Sequence, residues 1–548
     1  MRTLLIPAAL LAASGLCAQS RTDSVQLLRQ TASLYDLRFT EAEADSMVED
    51  IRDYGASIRT LHQKLPSNAL PYPFGFDPAP AGFTVPQGGE KINWILPKAT
   101  LPKRKTDLAF YSVAQLAALI RDRQITSEAL TRFFLDRLKK WDDSLHAVIT
   151  LTEDLALQQA RQADAELRAG RYRGPLHGIP YGLKDLFAVK GYKTTWGSTP
   201  YKDQVLEDNS FVYEQLTKAG AVLCAKLSLG ALAFNDLWFG GRTNNPWNLR
   251  QGSSGSSAGS AAATAAGLLP FAIGTETWGS IVSPSTRCGV TGLRPTFGAT
   301  SRSGAMVLSW SLDKAGPICR SAEDCAIVFA AMKGTDGKDP SARNYAFRYQ
   351  PKALRTMRIA YAENYFRRLP KDAPEWGVLQ VYRDLGATLT PVTFPDSALY
   401  ANDIMSLVIG AESAAAFDEL TRTDRDTLIE RQDKGFWPNI FRGARLIPAA
   451  EYINANRHRY ALIDTVNAFM KQWDVVIVPT YAGNQLALTN LTGHPVVVQP
   501  IGLHAGNNPL SITLIGNLYD EVSILQAAKA YQEKTGHHLM RPPLFDRD

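Results

Sequence analysis

The sequence predicts an α/β protein: a β-sheet covered by helices on both faces, with a helical extension ahead of it. Three observations lead there. From Leu108 onward, short apolar runs of strand length alternate with segments whose apolar residues recur at helical spacing. Before that point lie two helical stretches and a strap rich in Pro and Gly, with no strand pattern. The chain is 45% hydrophobic and 20% charged, enough for a packed core, which excludes wholesale disorder, collagen-like repeats and disulfide-stapled mini-proteins.

The N-terminus opens with Met1-Arg2, continues with an apolar run over residues 4–16 and reaches Ala18 before polar residues begin. That order reads as a secretory signal peptide over residues 1–18, cleaved after Ala18, and the run is too short to cross a bilayer. Lipidation of Cys17 is the alternative, disfavoured by the bulk of Leu16. No later apolar stretch is long enough for a membrane span, so no stable membrane insertion is expected. The product is expected to be exported, periplasmic or extracellular.

Residues 19–105 form the extension. Helices are predicted over 27–35 and 41–65, followed by a strap over 66–102 in which proline removes donors and fixes φ. The main domain occupies 106–548. Val113, Leu116, Ala117 and Ile120 mark one helix, and Leu130, Phe133, Phe134, Leu138 and Trp141 a second, capped by Thr126 or Ser127. A third spans 156–167 and ends near Gly170. Strands are predicted at 179–183, 221–223, 269–273, 359–361 and 475–478.

Lys and Arg total 59 against 53 Asp and Glu, a net +6 with no basic block, so nucleic acid is not an expected partner. Removing 1–18 leaves Cys224, Cys288, Cys319 and Cys325, too few for a disulfide framework. Cys224 reads as a buried thiol. Cys319 and Cys325 are close enough to pair, but the polar residues between them read as a helix start. No Cys/His spacing suggests zinc.

The most unusual segment begins at Gln251: a Gly/Ser cluster, an alanine-rich helix, a strand, and then Gly274-Thr-Glu-Thr-Trp-Gly-Ser280. A flexible linker would not run into such a helix; small residues at this density allow close backbone approach.

Ser254-Gly-Ser256-Ser-Ala-Gly-Ser260, the Gly274–Ile281 stretch, His177-Gly-Ile-Pro-Tyr-Gly-Leu-Lys184-Asp185, Cys288-Gly-Val-Thr-Gly-Leu-Arg-Pro-Thr296 and Asn490-Leu-Thr-Gly-His-Pro495 together resemble the amidase signature family. The resemblance covers about residues 106–548. It implies a mixed central sheet wrapped by helices, hydrolysis of amide bonds and a Ser–cis-Ser–Lys triad, here Ser280, Ser256 and Lys184. The bond that is cis in the family corresponds to Gly255–Ser256. The implied oxyanion donors are the backbone N–H groups of Thr277, Trp278, Gly279 and Ser280.

These residue types suit the chemistry. An amide needs an activated nucleophile, a stabilised oxyanion and a proton for the leaving nitrogen. Ser280 is the expected nucleophile and Ser256 the relay. Lys184, with Leu183, Leu186 and Phe187 beside it, is a base only if burial keeps it neutral; Asp185 would oppose that if it faced inward. Glu276 is expected to hold the loop, and His177 to sit in a turn. Ser254 and Ala258 replace family glycines, Trp278 stands where many relatives carry Gly or Asp, and Val282 replaces an arginine. The substrate pocket is assigned to 306–310, 401–417 and 436–446, with Met306 and Trp310 serving either the pocket or the core.

No metal or organic cofactor is called for. The expected partner is a small-molecule or peptide amide, and a homodimer stays open. Two alternatives remain: an α/β-hydrolase elbow around Ser257, against which residues 244–251 read as no strand, and a non-catalytic amidase-like binding protein. The tRNA-dependent amidotransferase subunit shares the catalytic pattern, but the signal peptide argues against it.

Overall fold

The computed structural model describes residues 21–35, 37–63, 75–88, 92–395, 400–504 and 508–547. The signal-peptide reading, Cys17 and the Pro71-Tyr-Pro part of the strap lie outside them. The chain divides into two compact units, Met1–Leu70 and Pro71–Asp548.

The first unit holds helices Arg21–Ser33 and Glu41–His62, the former beginning six residues earlier than its apolar pattern suggested. Thr40 and Glu43 bond reciprocally at the start of the second helix, satisfying donors that the first turn leaves orphaned. Val25, Ala44 and Val48 form its buried apolar cluster, with Leu28 and Phe39 packed against them.

The second unit is built on an eleven-stranded mixed sheet with helices on both sides. Its strands are β1 Val148–Leu151, β2 Pro180–Lys184, β3 Val222–Leu227, β4 Phe271–Glu276, β5 Thr291–Arg294, β6 Lys314–Cys319, β7 Ile359–Ala362, β8 Leu389–Val392, β9 Val475–Pro479, β10 Val496–His504 and β11 Asn508–Gly516. They lie in the order β1-β3-β2-β4-β6-β5-β10-β11-β9-β7-β8. Strand β2 runs parallel to both β3 and β4, whereas β6 is antiparallel to β4 and β5. Strands β2, β3 and β6 are buried along their whole length, as their near-continuous apolar runs require.

The predicted helices appear as Val113–Arg121, Ser127–Leu145 and Glu153–Arg168. Thr126 provides the cap, accepting from Ala129 N, while Ser127 turns its hydroxyl to the Gly178 carbonyl. Strand β3 continues past the expected residue 223 because Lys226 is paired inside the sheet. Strand β4 begins after Pro270 rather than at 269, since proline has no N–H for the ladder.

One expectation is corrected. Residues 244–251 do contain strand: Asn248–Gly252 pairs antiparallel with Asn244–Asn245 in a two-stranded ribbon outside the main sheet. Backbone pairing in so short a ribbon needs no apolar alternation, so the polar sequence hid it. All four described cysteines are free and buried, and Cys325 lies inside helix Ala322–Met332.

The described part of the strap lies on this unit through aromatic contacts, Phe76 with Phe297 at 5.0 Å and Trp94 with Tyr349 at 5.3 Å. No described helix is long and apolar enough to cross a membrane.

Candidate active site

Parallel pairing of β2 with β4 sets Leu183 opposite Ile273, so Lys184 ends its strand beside the last residues of β4. The Lys184 side chain is fully buried, and Nζ lies 2.7 Å from Ser256 Oγ, 2.9 Å from Thr275 Oγ1 and 3.1 Å from Ser257 Oγ. Burial pushes its pKa well below the ordinary lysine value, against the pull of Asp313 and Glu276. Asp185 faces elsewhere: it pairs with buried Lys226 at 2.6 Å and accepts from Thr195 N and Oγ1. The neighbouring carboxylate therefore serves a second buried lysine and leaves Lys184 without an ion-pair partner among the described residues.

The serine cluster lies between the ribbon and helix Ala258–Ala265. The Gly255–Ser256 peptide is cis. A side chain at 255 has no room, since a Cβ there would stand 1.8 Å from the Asn235 carbonyl oxygen. Ser254 takes φ 62°, the left-handed region glycine prefers. Ser257 is fully buried and its hydroxyl fully engaged: it donates to Thr275 O at 3.0 Å and accepts from Thr275 N and Lys184. Such an oxygen is unsuited to attack a substrate.

Ser280 stands on the turn between β4 and helix Val282–Cys288 and is 9% exposed, against 0% for Ser257. Its carbonyl accepts from Ser257 N at 3.2 Å, which fixes this turn against the serine cluster. The structure thus brings Lys184 and Ser256 into direct contact and seats Ser280 beside them through the backbone. It shows no hydrogen bond from the Ser280 hydroxyl among the described residues. The backbone N–H groups of Thr277, Trp278, Gly279 and Ser280 likewise find no acceptor among the described residues. Four unspent donors on one turn, opened by Gly279 at φ 93°, make an anion-binding concavity.

Buried carboxylates hold that turn at both ends. Glu276 accepts from Ile281 N at 2.8 Å and Val282 N at 2.9 Å, and its other oxygen accepts from Arg294 at 2.8 Å and Asn490 at 2.9 Å. Burial alone would raise its pKa, but attraction to Arg294 and the Val282 amide outweigh that and hold it at about 2. The expected loop-holding role of Glu276 is what the geometry displays. Asp313 accepts from Thr277 Oγ1 at 2.5 Å and from Leu308 N and Ser309 N. Asp313 escaped the sequence reading because its proximity comes from antiparallel pairing of Lys314 with Glu276, which no local motif encodes. Thr275 was within the Gly-Thr motif, and its place beside β2 was the missing signal.

Of the other candidates, His177 sits in a turn, its Nε2 2.9 Å from the Ala163 carbonyl. Met306 belongs to the core, 6% exposed. The Trp278 side chain is 41% exposed, so its indole stands at the surface of the turn. Among the described residues no three His, Cys, Asp or Glu side chains are grouped to hold a metal ion.

The family model described as Amidase matches residues 129–489, a span that contains Lys184, Ser256 and Ser280. The chain belongs to the amidase family. As an amidase-family protein it is an enzyme that acts on carbon–nitrogen bonds of amides. It is 32% identical to a glutamyl-tRNA(Gln) amidotransferase subunit from Acinetobacter baylyi, covering 81% of this chain and 100% of that protein. The corresponding subunit from Azoarcus sp. is 33% identical over 79% of this chain and 99% of its own length. Among solved structures, the peptide amidase of Stenotrophomonas maltophilia superposes with a TM-score of 0.72 at 30% identity, covering 81% of this chain and all of that one.

Proposed function

We propose that this amidase hydrolyses its substrate through an acyl-enzyme on Ser280, with Ser256 relaying a proton to and from a neutral Lys184. The observation that carries the reading is the 2.7 Å contact between the Lys184 amine and Ser256 Oγ in a fully buried setting. Desolvation without an ion-pair partner favours the neutral form of that lysine, the form that can accept a proton. Ser256 donates to it while taking the proton of Ser280, whose hydroxyl has no competing partner among the described residues and whose backbone is tied to the serine cluster through Ser257 N. The substrate carbonyl oxygen lies against the N–H groups of residues 277–280, and the tetrahedral intermediate collapses as Lys184 returns its proton through Ser256 to the leaving nitrogen. Water then repeats the sequence on the acyl-enzyme. One oxyanion donor is worth roughly 3–4 kcal/mol of transition-state stabilisation.

The substrate is a small-molecule or peptide amide, a reading supported by likeness to a peptide amidase. The basic-then-apolar N-terminus supports export of the chain. The likeness to amidotransferase subunits favours a second reading, an ammonia-releasing member of a larger assembly. Incubating purified protein with a panel of primary, peptide and aryl amides, with and without Ser280→Ala, tests the proposal. Release of amine or ammonia that depends on Ser280 supports it; no release from any amide contradicts it.

A further inference from the structure

Residues 308–313 lie in no helix or strand, so side-chain contacts must set their place. Two carboxylates supply those contacts. Asp313 takes Leu308 N at 2.9 Å and Ser309 N at 3.0 Å on one oxygen, and Thr277 Oγ1 on the other. The backbone of Ser309 is therefore held by the same carboxylate that grips the anion-binding turn.

The Ser309 hydroxyl goes the other way. It donates to Glu412 Oε2, which also accepts from Ser311 N at 3.0 Å. Glu412 Oε1 accepts from Ser311 Oγ at 2.7 Å and from Tyr452 Oη at 2.8 Å. Glu412 belongs to helix Ala401–Ala416 and Tyr452 to helix Ala449–Met470, so the loop is pinned by elements that come much later in the chain.

Glu412 is buried, and a buried carboxylate must have its lone pairs filled. Four donors fill them here. Its charge is answered across one hydroxyl: Ser311 Oγ accepts from Arg459 Nη1 at 2.8 Å while donating to Glu412, and Arg459 Nη2 holds Ser311 O at 2.9 Å. Thr277, Asp313, Ser309 and Glu412 thus form a line in which each group bonds the next. Among the described residues no hydrogen bond joins Glu412 to Lys184, Ser256 or Ser280. Whatever it contributes to hydrolysis passes through the loop.

We propose that Glu412 is a positioning residue for the oxyanion turn, holding Ser309, and through Ser309 and Asp313 the Thr277 end of that turn, where the substrate carbonyl is received. The inference rests on the Ser280 acyl-enzyme reading above and extends its machinery to a residue that touches no reacting atom. Donors aimed in advance stabilise developing charge without reorganising. A turn released at Thr277 still admits the amide but meets its oxyanion poorly, so the loss falls on kcat rather than KM.

The test offers acetanilide, phenylacetamide and N-acetylphenylalaninamide to the full-length protein and measures kcat and KM wherever hydrolysis depends on Ser280. Ser309→Ala cuts the link yet leaves the Ser309 amide on Asp313. It is expected to lower kcat at least about fivefold, with KM changed by less than about threefold. Glu412→Ala should do the same, and Glu412→Gln, whose amide oxygen still receives Ser309 and Ser311, should recover most of that loss. Thr277→Val breaks the line at its other end, so adding Ser309→Ala to it should cost little beyond the larger single loss, whereas independent sites would multiply.

A smaller loss of kcat in Ser309→Ala, a loss confined to KM, single losses that multiply in the double variant, or a Glu412→Gln protein as impaired as Glu412→Ala would overturn the inference. If Glu412→Ala does not fold, Ser309→Ala and the double variant decide. Each of those results leaves the acyl-enzyme reading standing, because the wild type still hydrolyses amides through Ser280. Absence of Ser280-dependent hydrolysis on all three amides overturns both.

Discussion

Lys184 Nζ stands 2.7 Å from Ser256 Oγ, and both side chains are buried. Among the described residues no other lysine bonds to the serine cluster that packs against the Ser280 turn. On the proposed mechanism this amine is the base, and its removal should be felt in chemistry before stability. Lys184→Ala is expected to cut turnover by about 10²–10⁴-fold. Because the amine has no ion-pair partner, the thermal midpoint should stay near that of the wild type, as circular dichroism would read. Near-normal rates would exclude Lys184 as the base.

The same burial sets the pH dependence. Lys184 is depressed below the ordinary value of about 10.4, so its neutral form persists at lower pH than for a surface lysine. Turnover should rise with pH through that depressed pKa and fall away beneath it. Burial is the main cause, and Asp313 opposes it. Asp313→Asn therefore should move the acid limb of the kcat/KM profile to lower pH, besides slowing turnover by loosening Thr277. An unmoved limb would limit Asp313 to a structural role.

Glu276 makes a prediction about stability. Its folded pKa of about 2 lies below its ordinary 4.5, so the stabilisation is present above 4.5 and is lost as pH falls toward 2. Acid titration of the unfolding free energy should show this loss, and Glu276→Gln should abolish it. The variant also strands Arg294, which is fully buried, at a cost of about 3–5 kcal/mol. An unchanged acid titration in that variant would contradict the assignment.

Ser257 and Ser280 separate the two serine readings. Ser280→Ala is expected to abolish hydrolysis. Ser257→Ala should slow it, since the Lys184 amine and the Thr275 backbone lose a partner, yet leave turnover measurable. Loss of activity only in Ser257→Ala would favour the elbow mechanism. The strand ahead of Ser257 belongs to a separate ribbon, not the main sheet an elbow requires.

The contact of Lys184 with Ser256 was legible because each lies in a contiguous motif and the motifs keep their order. The spacing between the serines also selected Ser256 over Ser257 before any contact was known. What stayed hidden depends on pairing across the sheet. The strand predicted over 221–223 runs on to 227 through the buried Lys226, which Asp185 from the neighbouring strand end neutralises there. Asp313 and Thr277 meet only because β6 runs antiparallel to β4. Met306, which the sequence left between pocket and core, belongs to the core, where its N–H donates to Leu186 O. Local apolar patterning reports which residues are inside, but not which of them border empty space.

Covalent trapping examines the central claim most directly. Purified protein treated with a fluorophosphonate, digested and mapped by mass spectrometry, should carry the adduct on Ser280, with labelling much slower in Lys184→Ala. An adduct on Ser257, or no adduct in a preparation that hydrolyses amides, would contradict the account.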